Sequence, residues 1–153
     1  MISWFSDDKI NIFFNNIPKI GIRYILPSMQ EDEKQSIKKY PFINKTELLV
    51  LIEDIKKEKI YSFIIPKGYC FDGASVPRFF WRIVGSNTDN KFLVAAMVHD
   101  YMCENHSCID YDREFSTKVF NSLLIVGGVG KFKRFMMKNS VDIFQKCFCN
   151  WKK

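Results

Sequence analysis

Arginine, paired cysteines and long apolar runs are scarce in this 153-residue sequence, and each scarcity removes a class of protein. The longest apolar runs, such as Phe92 to Val98, fall far short of the ~20 residues that cross a bilayer. The opening Met1-Ile2-Ser3-Trp4-Phe5-Ser6-Asp7-Asp8 has no positive segment followed by an apolar one, so no secretion signal is visible. The expectation is a protein that neither spans a membrane nor is exported by such a signal. The five cysteines (Cys70, Cys103, Cys108, Cys147 and Cys149) are odd in number, which predicts reduced thiols in a cytosolic compartment. Cys103, His106 and Cys108 supply three soft or borderline ligands, but without the Cys-x-x-Cys spacing of structural zinc sites. Ordinary buried thiols fit that stretch better.

Only five arginines (Arg23, Arg78, Arg82, Arg113 and Arg134) contribute to the net charge of +6, the rest being lysine. Specific phosphate and base recognition leans on the planar guanidinium fork. A lysine-, asparagine- and isoleucine-rich chain reflects an AT-rich coding sequence more readily than a nucleic-acid partner. Nucleic-acid binding through the basic C-terminal helix therefore ranks below the other readings.

What is present in quantity is apolar and aromatic. The hydrophobic fraction is 47%, the aromatic fraction 16%, and there are 15 Phe residues. That is ample for a packed interior and excludes wholesale disorder. The length fits one domain, strand-rich over 1–66, with a candidate site loop over 67–75 and a helical part over 76–153.

Two short β-prone runs, Ile10 to Phe14 and Ile20 to Leu26, open the pattern, and Ser28 to Lys39 reads as a short exposed helix or a mobile loop. Thr46 to Glu53 and Lys59 to Pro66 are apolar runs joined by a short polar link, which predicts an antiparallel hairpin over 46–66. From there the period changes. Ser75-Val76-Pro77 suits a helix start, with a stop at Gly85. Phe92, Ala95, Ala96, His99 and Cys103 recur at helical spacing. A third helix opens at Asp110 or Asp112 and ends at Gly127-Gly128. A fourth covers Lys131 to Trp151, with Phe135, Met136, Ile143, Phe144, Cys147 and Trp151 along one stripe. Strands first and helices after predict the α+β class: an N-terminal antiparallel sheet with a C-terminal cluster of about four helices.

Two segments carry the chemistry. Pro66-Lys67-Gly68-Tyr69-Cys70-Phe71-Asp72-Gly73-Ala74-Ser75-Val76-Pro77 is a strand exit with two glycines, a carboxylate and a hydroxyl before a helix start. Such a terminus presents free N–H groups and a positive dipole end. At least one of Gly68 and Gly73 is expected at positive φ, where a Cβ would clash. Ala95-Ala96-Met97-Val98-His99-Asp100 places an imidazole beside a carboxylate on an apolar helix. Asp72 is as readily a turn or cap as a site residue, and a lone buried His is more often a satisfied core residue than a ligand. The alanines leave room for another element to approach, so His99 is expected to meet the Asp72–Ser75 loop.

Taken together, Pro66, Gly68, Tyr69, Asp72, Gly73, Ala74, Ser75, Pro77, Arg78 and Trp81, followed by Ala95, Ala96, His99, Asp100 and Tyr101, form an ordered signature. Over roughly 59–130 the chain resembles the domain of unknown function DUF1353, common in phages and prophages. The family's third helix resembles an Ala-Asp pair followed three residues later by Phe. The nearest register here is Ser116-Thr117 with Phe120, which puts Thr117 at the acidic place and leaves Asp112 or Glu114 as substitutes one turn earlier.

Two readings follow. In one, Asp72, Ser75, His99 and Asp100 form a hydrolase-like pocket with Gly73, Arg78, Tyr101 and Asp112 as binding residues. Asp72, His99 and Asp100 would then hold a divalent metal ion, and the substrate would be peptidoglycan or a nucleotide. In the other, Asp72 and Ser75 cap a helix, His99 hydrogen-bonds the loop, and the protein is a virion component or binds a host factor. The second is preferred because the ligand set is not visibly complete. It places the chain in the cytoplasm of an infected or lysogenic bacterial host, or packaged in the virion.

Overall fold

The computed structural model describes residues 1–72, 90–105 and 113–148, and the strands among them all lie within the first 71 residues. Strands β1 (Ile2–Ser6), β2 (Ile10–Phe14), β5 (Leu48–Asp54) and β6 (Lys59–Ile65) form an antiparallel sheet in the order β1-β2-β5-β6. Strict alternation of buried and half-buried residues along β2 and β5 fixes which face meets the core. In the expected hairpin, Leu48, Val50 and Ile52 pair with Ile65, Phe63 and Tyr61, so both strands turn their apolar side chains to the same side. Its connection is closed by Asp54, whose carboxylate accepts from the Lys57 amide at 3.2 Å, and by Glu58 at φ 53°.

A second, smaller antiparallel sheet consists of β3 (Ile20–Ile22), β4 (Phe42–Asn44) and β7 (Cys70–Phe71), in the order β3-β4-β7. Fully buried Asn44 joins it to the hairpin exit. The Asn44 side-chain amide donates to the carbonyls of Ile65 (3.2 Å) and Pro66 (3.0 Å), and its backbone N–H donates to Tyr69 O at 2.8 Å. The turn it grips runs from Pro66 to Tyr69. Gly68, in its third place, has φ +93°, the left-handed value a type II turn requires there. The expectation for the two glycines is met at Gly68, and Gly73 lies outside the described residues.

Helix α1 (Glu31–Lys39) covers the charged stretch, with Glu31, Asp32 and Glu33 in its first turn, Lys38 and Lys39 in its last, and Ile37 buried. Helices α2 (Asn90–Glu104), α3 (Arg113–Val126) and α4 (Lys131–Phe148) follow in the C-terminal half. The helix expected over 76–84 falls outside the described residues. α2 packs on α3, and α3 on α4. α3 stops in a Schellman closure: the Val129 N–H reaches Leu124 O, the Gly128 N–H reaches Ile125 O, and Gly128 takes φ +76°.

Sheet and helices share one apolar core. Phe14, Ile52 and Ile65 from the large sheet, Phe42 and Phe71 from the small one, and Met97, Phe120 and Leu124 from the helices are all within it. Tyr61 packs on Phe115 with ring centroids 4.7 Å apart, and Phe63 stacks on Tyr101 at 5.4 Å. The fold is α+β. One face was expected otherwise: Phe135 of α4 is 65% exposed, and the residue that faces the core there is Met137.

Candidate functional site

The site residues come from two elements that the core brings together. β7 delivers Asp72 directly after the buried Phe71, and α2 carries His99, Asp100, Tyr101, Cys103 and Glu104. α2 is apolar nearly all round, with Leu93 to His99 continuously buried, as expected of a helix enclosed by its neighbours. Between Phe92 and Val98 it carries no polar side chain, and polar groups gather again from His99 onward.

His99 is 2% exposed. Its ring lies 4.9 Å from that of Phe120 on α3, and the Cys103 sulfur sits 3.5 Å from Nε2 and 3.8 Å from Nδ1. Burial lowers the imidazole pKa to about 3, and the nearby Asp72 carboxylate opposes the shift without reversing it. His99 is therefore neutral at ordinary pH. The 3.9 Å between its Nδ1 and Asp100 Oδ1 separates a neutral ring from a carboxylate and is not an ion pair.

Tyr69 meets the C-terminal end of the same helix. Its hydroxyl donates to Glu104 Oε2 at 2.9 Å, and its ring meets Tyr101 edge-on at 5.4 Å and stacks near Phe71 at 6.2 Å. Burial, the charges of Glu104, Asp100 and Asp72, and the bond to Glu104 all push the phenol pKa up, so Tyr69 stays a neutral donor. The charges of three carboxylates thus act on one phenol, and that of Asp72 acts on the buried imidazole as well. Asp72 and Glu104 are exposed, while Asp100 and Tyr101 are half-buried.

Of the residues singled out in the sequence, Asp72, His99, Asp100 and Tyr101 are brought together here. Gly73, Ser75, Arg78 and Asp112 lie outside the described residues, as do His106 and Cys108. Of the loop expected against His99, Asp72 is described, and its charge reaches the ring. Among the described residues, no three His, Cys, Asp or Glu side chains are gathered as a metal-ligating set. Cys70 and Cys103 are half-buried. Thr117 is buried on α3 and donates its hydroxyl to the Arg113 carbonyl at 3.1 Å.

One contributor escaped the sequence reading. Glu104 stands four residues after Asp100, a spacing that places both on one side of a helix and was available as a signal. Its bond to Tyr69 crosses 35 residues, which no local pattern announces.

Comparison with known proteins agrees with the pattern of residues. The model of the family described as protein of unknown function (DUF1353) matches residues 49–141, and the chain belongs to that family. The uncharacterized protein y4jT of Sinorhizobium fredii (strain NBRC 101917 / NGR234) is 42% identical over 48 residues. That match covers 31% of this chain and 14% of the relative. No solved structure matches the chain. No helix among the described residues is long and apolar enough to cross a membrane.

Proposed function

We propose that this chain is a non-catalytic binding protein, a single-domain phage-associated component that joins the virion or engages a host factor in the bacterial cytoplasm. The observation that supports this is the state of His99. A neutral imidazole, 2% exposed and wedged between Phe120 and Cys103, organises the core beneath Asp72 and presents little surface to a substrate. Thr117 adds to it. At the place where the resemblance expects an acid, a hydroxyl turns back onto its own helix.

A second reading rests on one observation: Asp100 Oδ1 stands 3.9 Å from His99 Nδ1 and the Asp72 charge acts on the same ring, although the three are not gathered as a ligand set. In that reading Asp72, His99 and Asp100 bind a divalent cation, whose chemistry is to activate a water for hydrolysis. His99 is in the neutral form a metal requires.

One experiment separates them. The wild-type chain and an Asp72→Asn/Asp100→Asn double variant are incubated with purified peptidoglycan and with nucleotides, each with magnesium, manganese or zinc. The binding reading expects no product from the wild type beyond that from the double variant. Metal-dependent product that the double variant fails to make would replace it with the hydrolase.

A further inference from the structure

The tip of the α3–α4 hairpin exposes apolar side chains that the proposed site leaves unused. Phe132 is 69% exposed, Phe135 is 65% exposed, and Ile125 at the end of α3 is 41% exposed. At about 100° per residue, Phe132 and Phe135 point about 60° apart, with Met136 beside them. Lys131 and Lys138 flank this stripe on one side and Lys133 on the other, while Met137 turns inward to the core. Burial fixes the helix through Met137 and leaves the aromatic pair on the outside.

The charge around it is of one sign. From residue 115 to residue 141 there is no Asp or Glu, whereas Lys118, Lys131, Lys133, Arg134 and Lys138 fall in that span. Arg134 is tied down by donating to the Val129 carbonyl, which holds the turn into α4. Two exposed aromatics edged on both sides by lysines match a surface that lies in the headgroup layer of an anionic membrane. There the rings enter the acyl boundary, and the ammonium groups extend to the phosphates. A second copy of the chain would bring the same lysines face to face, and a basic protein would be repelled.

We propose that the tip of the α3–α4 hairpin is a peripheral membrane-binding surface for anionic phospholipid, with Phe132 and Phe135 as the inserting side chains. It needs no membrane-spanning segment and is independent of Asp72, His99 and Asp100. The test is co-sedimentation of the full chain with vesicles of phosphatidylcholine alone or mixed with phosphatidylglycerol. Binding is expected to the mixed vesicles only, and to weaken as salt is raised. Phe132→Ser/Phe135→Ser should abolish it with an unchanged thermal midpoint, and each of Lys131→Gln, Lys133→Gln and Lys138→Gln should lower partitioning about fivefold. Absence of binding to the mixed vesicles, or binding that survives Phe132→Ser/Phe135→Ser, overturns the proposal. So does a dimer in light scattering that those two substitutions dissolve, since the surface would then belong to a second copy.

Discussion

Helix α2 is apolar nearly all round, whereas α4 mixes Phe and Met with Lys and Arg, and their described apolar residues meet different fates. Along α2, Leu93 to His99 are continuously buried, whereas on α4 Met137 is buried while Phe132 and Phe135 stand in solvent. The difference lies in the neighbours. α2 is sandwiched between the sheet side of the core and α3, so almost every position finds a partner. α4 packs on α3 from one side. Periodicity tells which residues share a side of a helix, but only the arrangement of the other elements decides which side is covered.

The strongest way to break this contrast is to truncate one aromatic residue on each side of it. Phe120 is fully buried against His99, so Phe120→Ala should cost about 3–5 kcal/mol through lost contacts and the cavity left behind. Phe135→Ala removes a ring already in water and should stay within about 0.5 kcal/mol. Urea denaturation of both variants measures the difference. Similar costs would mean that α4 is covered on the side described here as open.

Smaller in size, and specific to α2, is the response to acid. The imidazole of His99 has its pKa lowered from 6.5 in the free residue to about 3 in the fold. Protons therefore bind the unfolded chain better throughout that interval, and stability rises with pH across it. The contribution is fully present above about pH 6.5 and is lost as the pH falls toward 3. Going from about pH 7 to about pH 5 should remove about 2 kcal/mol, measurable as a shift in the urea midpoint. In His99→Gln that part of the pH slope should vanish, whatever the variant's own stability at neutral pH. An unchanged slope would place the acid-sensitive group elsewhere.

The same contrast explains what was legible in advance. The β5–β6 hairpin could be read because two apolar runs flank a short polar link, and the C-terminal end of α3 could be read from the Gly127-Gly128 pair. β4 and β7 could not. Phe-Ile-Asn and Cys-Phe are too short to show a period, and they become strands because Asn44 hydrogen-bonds the hairpin exit. β1 lacks buried alternation and was equally silent. At the site, the ordered signature marked Asp72, His99 and Asp100, but the assignment of Phe135 to a packing stripe failed because α4 turns Met137 inward instead. The Tyr69–Glu104 bond was invisible for a different reason. It joins a turn to a helix end 35 residues away, and no local pattern pairs the two.

That bond gives a smaller predicted effect than the acid response, and it tests how enclosed the polar end of α2 is. In Tyr69→Phe the ring keeps its contacts with Phe71 and Tyr101, and only the hydroxyl is lost. The bond it made was charge-assisted, 2.9 Å long, to a carboxylate that is itself exposed. Glu104 then rehydrates at little cost, so the loss should be about 0.5–1 kcal/mol, at the low end for a bond to a charged acceptor. The sign of the surrounding charge lowers it no further, because Tyr69 is neutral and its removal relieves no repulsion. Denaturation at neutral pH provides the number, and absorbance at alkaline pH provides a check, since the raised pKa should keep this phenol protonated where a free tyrosine ionises. A loss as large as that from the His99 acid response would mean that Glu104 is sealed from water when Tyr69 is in place, and that the polar end of α2 is as closed as its middle.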